Sequence, residues 1–362
     1  MSDPRWPTAA DWLAAGTHGE AGTTPVTTDT VGGIRAPGPA AAGGAPDGES
    51  TGAGPGAPGV TAGGASDGAS TGAGPRVDLA VLGIGTWRTS VSPTGAQATP
   101  AAVRLALARY STYAASLEID LADRLVAVDL GDVDDPDADE DRAAAAVRAA
   151  TLRARLTVVL GGDNAATVPA VRGAGATGLV TLDAHHDLRD GRSNGSPVRR
   201  LLEQGLAGSR VAQVGIADWA NSAAYAAAAA RAGITVIPRP AVAERGVEDC
   251  VRSALDVAAS AGGPVHVDLD VDVCDRAVAP GCPASRPGGL SAAELLTAAR
   301  IVGADPRVGS VDLSEVDSTR DASDQRTVRL AALAVLELAA GLAIRREHRL
   351  PPDLTDRSRQ SR

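Results

Sequence analysis

The chain has 362 residues, including 42 Gly and 23 Pro, and its 44 acidic and 34 basic side chains leave a net charge of −10. An acidic balance of this size argues against nucleic acid or an anionic membrane as partner. No run of about 18 apolar residues offers a transmembrane helix, and the opening MSDPRWPTAADWLAAG lacks the basic-then-apolar pattern of a secretory leader. Cys250, Cys274 and Cys282 form neither a CxxC pair nor a disulfide framework, so a cytoplasmic protein is expected.

In chain order, a short N-terminal segment (1–16) is followed by a stretch (17–76) built almost wholly of Gly, Ala, Pro, Ser, Thr and Asp. It contains a duplication, GGAPDGESTGAGP at 43–55 and GGASDGASTGAGP at 63–75. With so few apolar side chains it cannot offset the entropy of ordering, so a flexible low-complexity insertion is expected. From Val77 the pattern changes. Apolar runs at 77–85, 124–133, 156–163, 178–185, 210–218, 234–238, 264–272 and 308–317 read as strands, with helix-like segments between them. The first such segment, 99–117, opens with Thr99 as a cap and Pro100 at the first helical position. Strands alternating with helices predict an α/β fold, a three-layer αβα sandwich around a mostly parallel eight-stranded sheet over 77–347, with a polar tail at 348–362. The ligand is then expected beyond the carboxyl ends of the strands.

Those strand ends are rich in acids. The 156–163 run leads into Asp163-Asn164, the 178–185 run into Asp183-Ala184-His185-His186-Asp187, the 264–272 run carries Asp268, Asp270 and Asp272, and the last run carries Asp312 and Glu315. In extended chain Asp183, His185 and Asp187 share one face, with His186 on the other. A single DxD at a strand end is often only a turn or a cap. Acids gathered in this number, however, cannot be buried unpaired, because each ion costs several kcal/mol and like charges repel. Divalent cations solve both problems, and carboxylates with one imidazole suit Mn²⁺ or a similar ion. Five candidate ligands exceed what one ion usually needs, which points to two metals.

DAHHDLR, DLDVDVCDRAVAPGCPASRPGGL and DLSEVD resemble the ureohydrolase (arginase/agmatinase) superfamily, over about Val77 to Ile344. RSNGSPVRRLL, SVSPTGAQATPAAVRLALARYST and DAHHDLRDG look most like its formimidoylglutamase branch, and Asn194 stands where arginases and agmatinases carry a loop His. The resemblance implies two Mn²⁺ per subunit held by Asp183, His185, Asp187, Asp270 and Asp272, with Asp183 and Asp270 bridging. It implies hydrolysis of N-formimidoyl-L-glutamate to L-glutamate and formamide by a metal-bridging hydroxide. Glu315 would hold the amidinium, Asp187 would pass a proton to the leaving amine, and the subunits would form a homo-oligomer, a trimer or hexamer. Asn164 replaces the superfamily's GGDH histidine. Its amide oxygen can bind Mn²⁺ more weakly than imidazole, so the first metal site is expected to be the weaker one.

The small-molecule amidine substrate also carries carboxylates. Ser196-Pro197 reads as a helix start, and Arg199 and Arg200 in its first turn would offer an anion site. The alternative is that both arginines form a solvated face. Asn194 and Ser196 would either hydrogen-bond the ligand or shape the turn. His266 reads as a packed strand histidine, Asp268 and Asp312 as supports for the ligands, and neither Cys274 nor Cys282 as a nucleophile. His18 and His348 fall outside the domain. An agmatinase or other guanidino-acid amidinohydrolase is the rival enzyme reading. A non-catalytic relative, supported only by Asn164, is the rival of another class.

Overall fold

The structure, a computed structural model, describes residues 8–16 and 76–345. Eight strands form one sheet: β1 Val77–Ile84, β2 Ala127–Asp132, β3 Ala154–Gly161, β4 Gly178–Leu182, β5 Val211–Ile216, β6 Thr235–Pro238, β7 Val265–Asp270 and β8 Val308–Ser314. Each expected run overlaps one of them, β3 beginning two residues before its run. Their order across the sheet is β2-β1-β3-β8-β7-β4-β5-β6, and every neighbouring pair is parallel. The four central strands, β3, β8, β7 and β4, are the four that lead into Asn164, Glu315, Asp270 and Asp183. Placing chemistry at adjacent carboxyl ends is what this topology does.

Both faces are covered. Leu79, Val81, Leu156, Val158, Val180, Leu182 and Val267 point into the larger core, closed by the helices Thr99–Leu107, Val247–Ala258, Ala292–Ala304 and Arg326–Ala343. Their neighbours along the strands, such as Leu82, Val159 and Leu179, point to the opposite face, against Val147 and Ala170 in one cluster and Val171 and Val198 in another. This is the period-two alternation of a sheet buried on both sides. With no Phe in the chain, small residues bring the helices close. A Cβ on Gly303 would lie 2.2 Å from the carbonyl oxygen of Leu338, and one on Gly341 2.2 Å from that of Arg300.

Two local expectations change. Thr99 lies inside its helix, after a 3-10 turn at Ala96–Ala98, and its hydroxyl donates to the Val316 carbonyl at 2.5 Å instead of capping. The segment before residue 17 contributes the helix Ala9–Ala15, capped by Thr8, whose hydroxyl accepts from Asp11 N. That helix buries Ala9, Trp12 and Leu13 in the larger core, and Trp12 Nε1 donates to the Leu125 carbonyl at 3.3 Å. The expected flexible insertion, except for Arg76, lies outside the described residues, as do His18, His348 and the 348–362 tail. Among the described residues no helix is long and apolar enough to cross a membrane.

Candidate metal centre

Strand β4 ends at Leu182, so Asp183 to Asp187 lie in the loop beyond it. The three residues Asp183, His185 and Asp187 do converge, but not through the alternation of an extended strand. The loop coils over itself: His185 N donates to Asp183 Oδ1 at 2.6 Å, Ala184 N donates to Asp272 Oδ1 at 3.3 Å, and Asp187 sits in the left-handed region at φ 53°. His186 is turned away, with Nδ1 2.7 Å from Gln213 Oε1. Asp270 ends β7, and its Oδ1 accepts from Asp272 N at 2.8 Å, folding Asp272 back on a single 3-10 turn. Glu315 follows β8, also left-handed at φ 59°. Side chains at such backbone angles carry strain of order 1–3 kcal/mol, and they concentrate at functional sites.

Two sets of oxygen and nitrogen donors lie within ligand distance of one another: Asp183 with His185 and Asp272, and Asp183 with Asp187 and Asp270. Asp183 belongs to both. Asp270, expected to bridge as well, belongs to one. Five of the six expected ligands are therefore brought together in two overlapping groups.

The electrostatics fit a cationic occupant. Burial pushes the Asp183 carboxyl up to about 6, with the Asp272 charge adding to it. Burial, followed by neighbouring acids, pushes Asp187, Asp268 and Asp270 well above the usual carboxylate range. Burial works against a charge on His185, yet Asp272 and Asp183 outweigh it and raise the imidazole to about 11. Its Nδ1 is 2.9 Å from Asp272 Oδ2. Asp272 is buried too, but this imidazole holds its carboxyl below the usual value. Asp183 Oδ2 is buried without any hydrogen-bond partner. A buried carboxylate oxygen left bare among other acids fits a cationic occupant, and carboxylates with one imidazole are the donor set of Mn²⁺ and similar ions.

Asn164 adjoins this cluster, with Nδ2 2.6 Å from Asp187 Oδ2 and 3.0 Å from Asp270 Oδ2. Above it a cavity of about 190 Å³ is lined by Asp187, Asp270, Asp272, Asn194, Glu315 and others. Glu315 Oε1 accepts from Asn164 N at 2.9 Å and from Asn194 Nδ2 at 2.6 Å. Burial, with Asp163 and Asp272 nearby, pushes the Glu315 carboxyl up to about 8.

The expected anion site differs. Arg199 donates from Nε and Nη2 to the carbonyls of Arg189 and Gly191 and pairs with Glu203, so its charge staples its own loop, outside the cavity lining. Arg200 pairs with Glu140 at 2.8 Å. Ser196 makes no cap bond: its hydroxyl donates to the Ser193 carbonyl and accepts from Ser193 N, also away from the cavity. The arginines that line the cavity are Arg189, whose stem packs on Gly195, and Arg286. Ser90, Asn221 and Tyr225 line it as well. Sequence reasoning missed both Arg189, two residues beyond Asp187, and Arg286, in the PASRPGG loop. Nothing local distinguished them from other surface arginines.

His266 and Asp312 form a fully buried pair at 2.6 Å beneath the cluster. Cys274 and Cys282 are buried, which raises both thiols, as expected of inert cysteines.

The arginase family profile matches residues 77–341. The chain is 33% identical over 281 residues to formimidoylglutamase of Bacillus subtilis, covering 73% of this chain and 87% of that protein. It is 34% identical over 286 residues to formimidoylglutamase of Halalkalibacterium halodurans, covering 75% and 89%. The crystal structure of the B. subtilis formimidoylglutamase superposes with a TM-score of 0.71 at 30% identity, over 75% of this chain and 89% of that one. Parallel sheet, acid-lined strand ends and matched length agree, and the chain belongs to the arginase family.

Proposed function

We propose that this chain hydrolyses N-formimidoyl-L-glutamate to L-glutamate and formamide, with two Mn²⁺ per subunit. The observation that carries this reading is the charge pattern of the cavity. The buried acids Asp187, Asp270 and Asp272 line it, Asp183 with its bare carboxylate oxygen lies within ligand distance of them, and two arginines, Arg189 and Arg286, line its wall. A substrate with a cationic amidine at one end and carboxylates at the other has the complementary pattern. The similarity to the two formimidoylglutamases supports the same reading.

Asp183, His185, Asp187, Asp270 and Asp272 would hold the metals, with Asn164 as the weakest donor. Bound there, Mn²⁺ would act as a Lewis acid and make a hydroxide nucleophile available near neutral pH. The chain's own residues do the rest. Asn164 N and Asn194 Nδ2 both occupy Oε1 of Glu315, leaving its other oxygen for the amidinium N–H. Meeting that cation would draw the Glu315 carboxyl back toward its ionised form. Asp187 lines the cavity and would relay the proton given up by the nucleophile to the leaving glutamate nitrogen. Arg189 and Arg286 take the part assigned in the sequence to Arg199, pairing with the substrate carboxylates.

Product analysis tests this. Mn²⁺-loaded protein is offered N-formimidoylglutamate, agmatine and arginine. Glutamate and formamide from the first alone are the expected result. Urea from a guanidine would make the chain an amidinohydrolase of the other branch, and no turnover with metal bound would make it a non-catalytic relative.

A further inference from the structure

Beneath the acid cluster runs a buried hydrogen-bond chain that the reaction does not use, and it meets the cluster at Asn164. On one side the Asn164 amide nitrogen faces Asp187 and Asp270. On the other, its oxygen lies against the hydroxyl of Thr167 and 3.2 Å from that of Ser314. Each hydroxyl has a carboxylate beyond it. Thr167 Oγ1 is 2.9 Å from Asp312 Oδ2, and Ser314 Oγ is 3.1 Å from Asp268 Oδ1. Asp312 Oδ1 lies 2.6 Å from Nε2 of His266, whose Nδ1 lies 2.7 Å from Ser310 Oγ. All of these side chains are buried.

A hydroxyl has one proton to give, and a carboxylate competes for it better than an amide oxygen does. Once Thr167 donates to Asp312, only its lone pairs face Asn164, and lone pairs call for an N–H. Ser314 makes the same demand when Asp268 is ionised, the form a cation in the cluster favours. A half-turn of the amide answers both: Nδ2 donates to the two hydroxyls, and Oδ1 joins Asp187 Oδ2 and Asp270 Oδ2 in facing one point. Three oxygens around one point repel one another unless a cation lies between them. With no cation, the orientation that turns Nδ2 toward the carboxylates is favoured.

We propose that the chain His266–Asp312–Thr167, with Ser314 beside it, is a positioning device that selects which end of the Asn164 amide faces the carboxylates, and so sets how tightly that half of the metal centre holds its cation. The inference rests on the reading that Asn164, Asp187 and Asp270 serve the metal centre.

The test is Mn²⁺ binding by equilibrium dialysis, with dissociation constants for each class of site and a melting temperature for each protein. The proteins are wild type, Thr167→Val, Thr167→Ser, Ser314→Ala, Asn164→His and the double variant Asn164→His/Thr167→Val. Thr167→Val is expected to weaken the weaker Mn²⁺ tenfold or more while sparing the tighter one, and Thr167→Ser to restore it. Once imidazole replaces the amide, Thr167→Val should no longer matter. Ser314→Ala should act in the same direction and serves as the probe if Thr167→Val does not fold. The inference is overturned if both Thr167→Val and Ser314→Ala leave the constants unchanged. It is equally overturned if the two sites weaken alike, or if the Thr167→Val effect persists in the Asn164→His background. A wild-type chain that binds no Mn²⁺ overturns the metal-centre reading itself.

Discussion

Asn194 Nδ2 donates to Oε1 of Glu315 at 2.6 Å, across 121 residues of sequence, while Asn194 Oδ1 accepts from Val91 N at 2.9 Å. One amide therefore ties the loop after β1 to the acid after β8. Losing it would leave the Glu315 carboxyl held by Asn164 N and no longer by the loop after β1. A hydrogen bond to a charged group contributes about 1.5–3 kcal/mol, so Asn194→Ala should lower kcat/KM for the amidine substrate roughly 10- to 100-fold with little change in melting temperature. Steady-state kinetics beside a thermal melt would check this. A full loss of activity with an unfolded melt would mean that the loop, and not the acid, depends on Asn194.

The two lining arginines and the stapling one should separate cleanly. Arg189→Ala and Arg286→Ala are each expected to raise KM for a dicarboxylate amidine by about one to two orders of magnitude, the weight of a charge-assisted pair. Arg199→Ala should instead loosen the loop at 189–191. Its signature is faster proteolysis or amide exchange there, with a smaller rise in KM. Equal KM effects in all three would return Arg199 to the binding site.

With metal chelated, stability should fall as pH rises. Asp183 and Glu315 titrate at about 6 and about 8 in the folded chain, against ordinary values of 3.8 and 4.5. Between these values the folded chain holds protons that the unfolded chain has lost, so the contribution is present below pH 4 and disappears as pH passes the folded values. His185, raised to about 11, acts with the same sign above its ordinary 6.5. Melting temperatures in a chelator should therefore decline from pH 5 to pH 8.5, and Mn²⁺ should flatten or reverse the slope. A chelated protein whose melting temperature rises over that range would contradict the raised acids.

Gly303→Ala tests the packing of the last two long helices. The new Cβ would fall 2.2 Å from the Leu338 carbonyl oxygen, a backbone atom that cannot turn aside. Overpacking of this kind costs about 1–3 kcal/mol, so a chemical denaturation midpoint should drop with KM unchanged. An unshifted midpoint would show that the helices part without penalty.

Much of this was readable in the chain. The eight strands announced themselves because a sheet covered on both faces needs continuous apolar runs, and β-branched Val dominates them. The acids were readable as well, because so many at strand ends have no structural use. Two kinds of information were not. The route by which Asp183, His185 and Asp187 converge depends on a left-handed Asp187, and no side chain signals that angle as Gly would. The pairing of Arg200 with Glu140, 60 residues away, is set by how the helices dock, so a helix start that resembled an anion site had already been neutralised.

The helix Ala9–Ala15 and the strand beginning at Val77 are both fixed to one body, so the described residues on either side of 17–75 are anchored together. Closing a loop depends on length only logarithmically, and a doubling adds only about 0.6 kcal/mol. Adding 20 residues, the offset between the 13-residue copies at 43–55 and 63–75, therefore leaves the docking of Trp12 nearly untouched. The fold is thus nearly indifferent to how many residues join its two anchors.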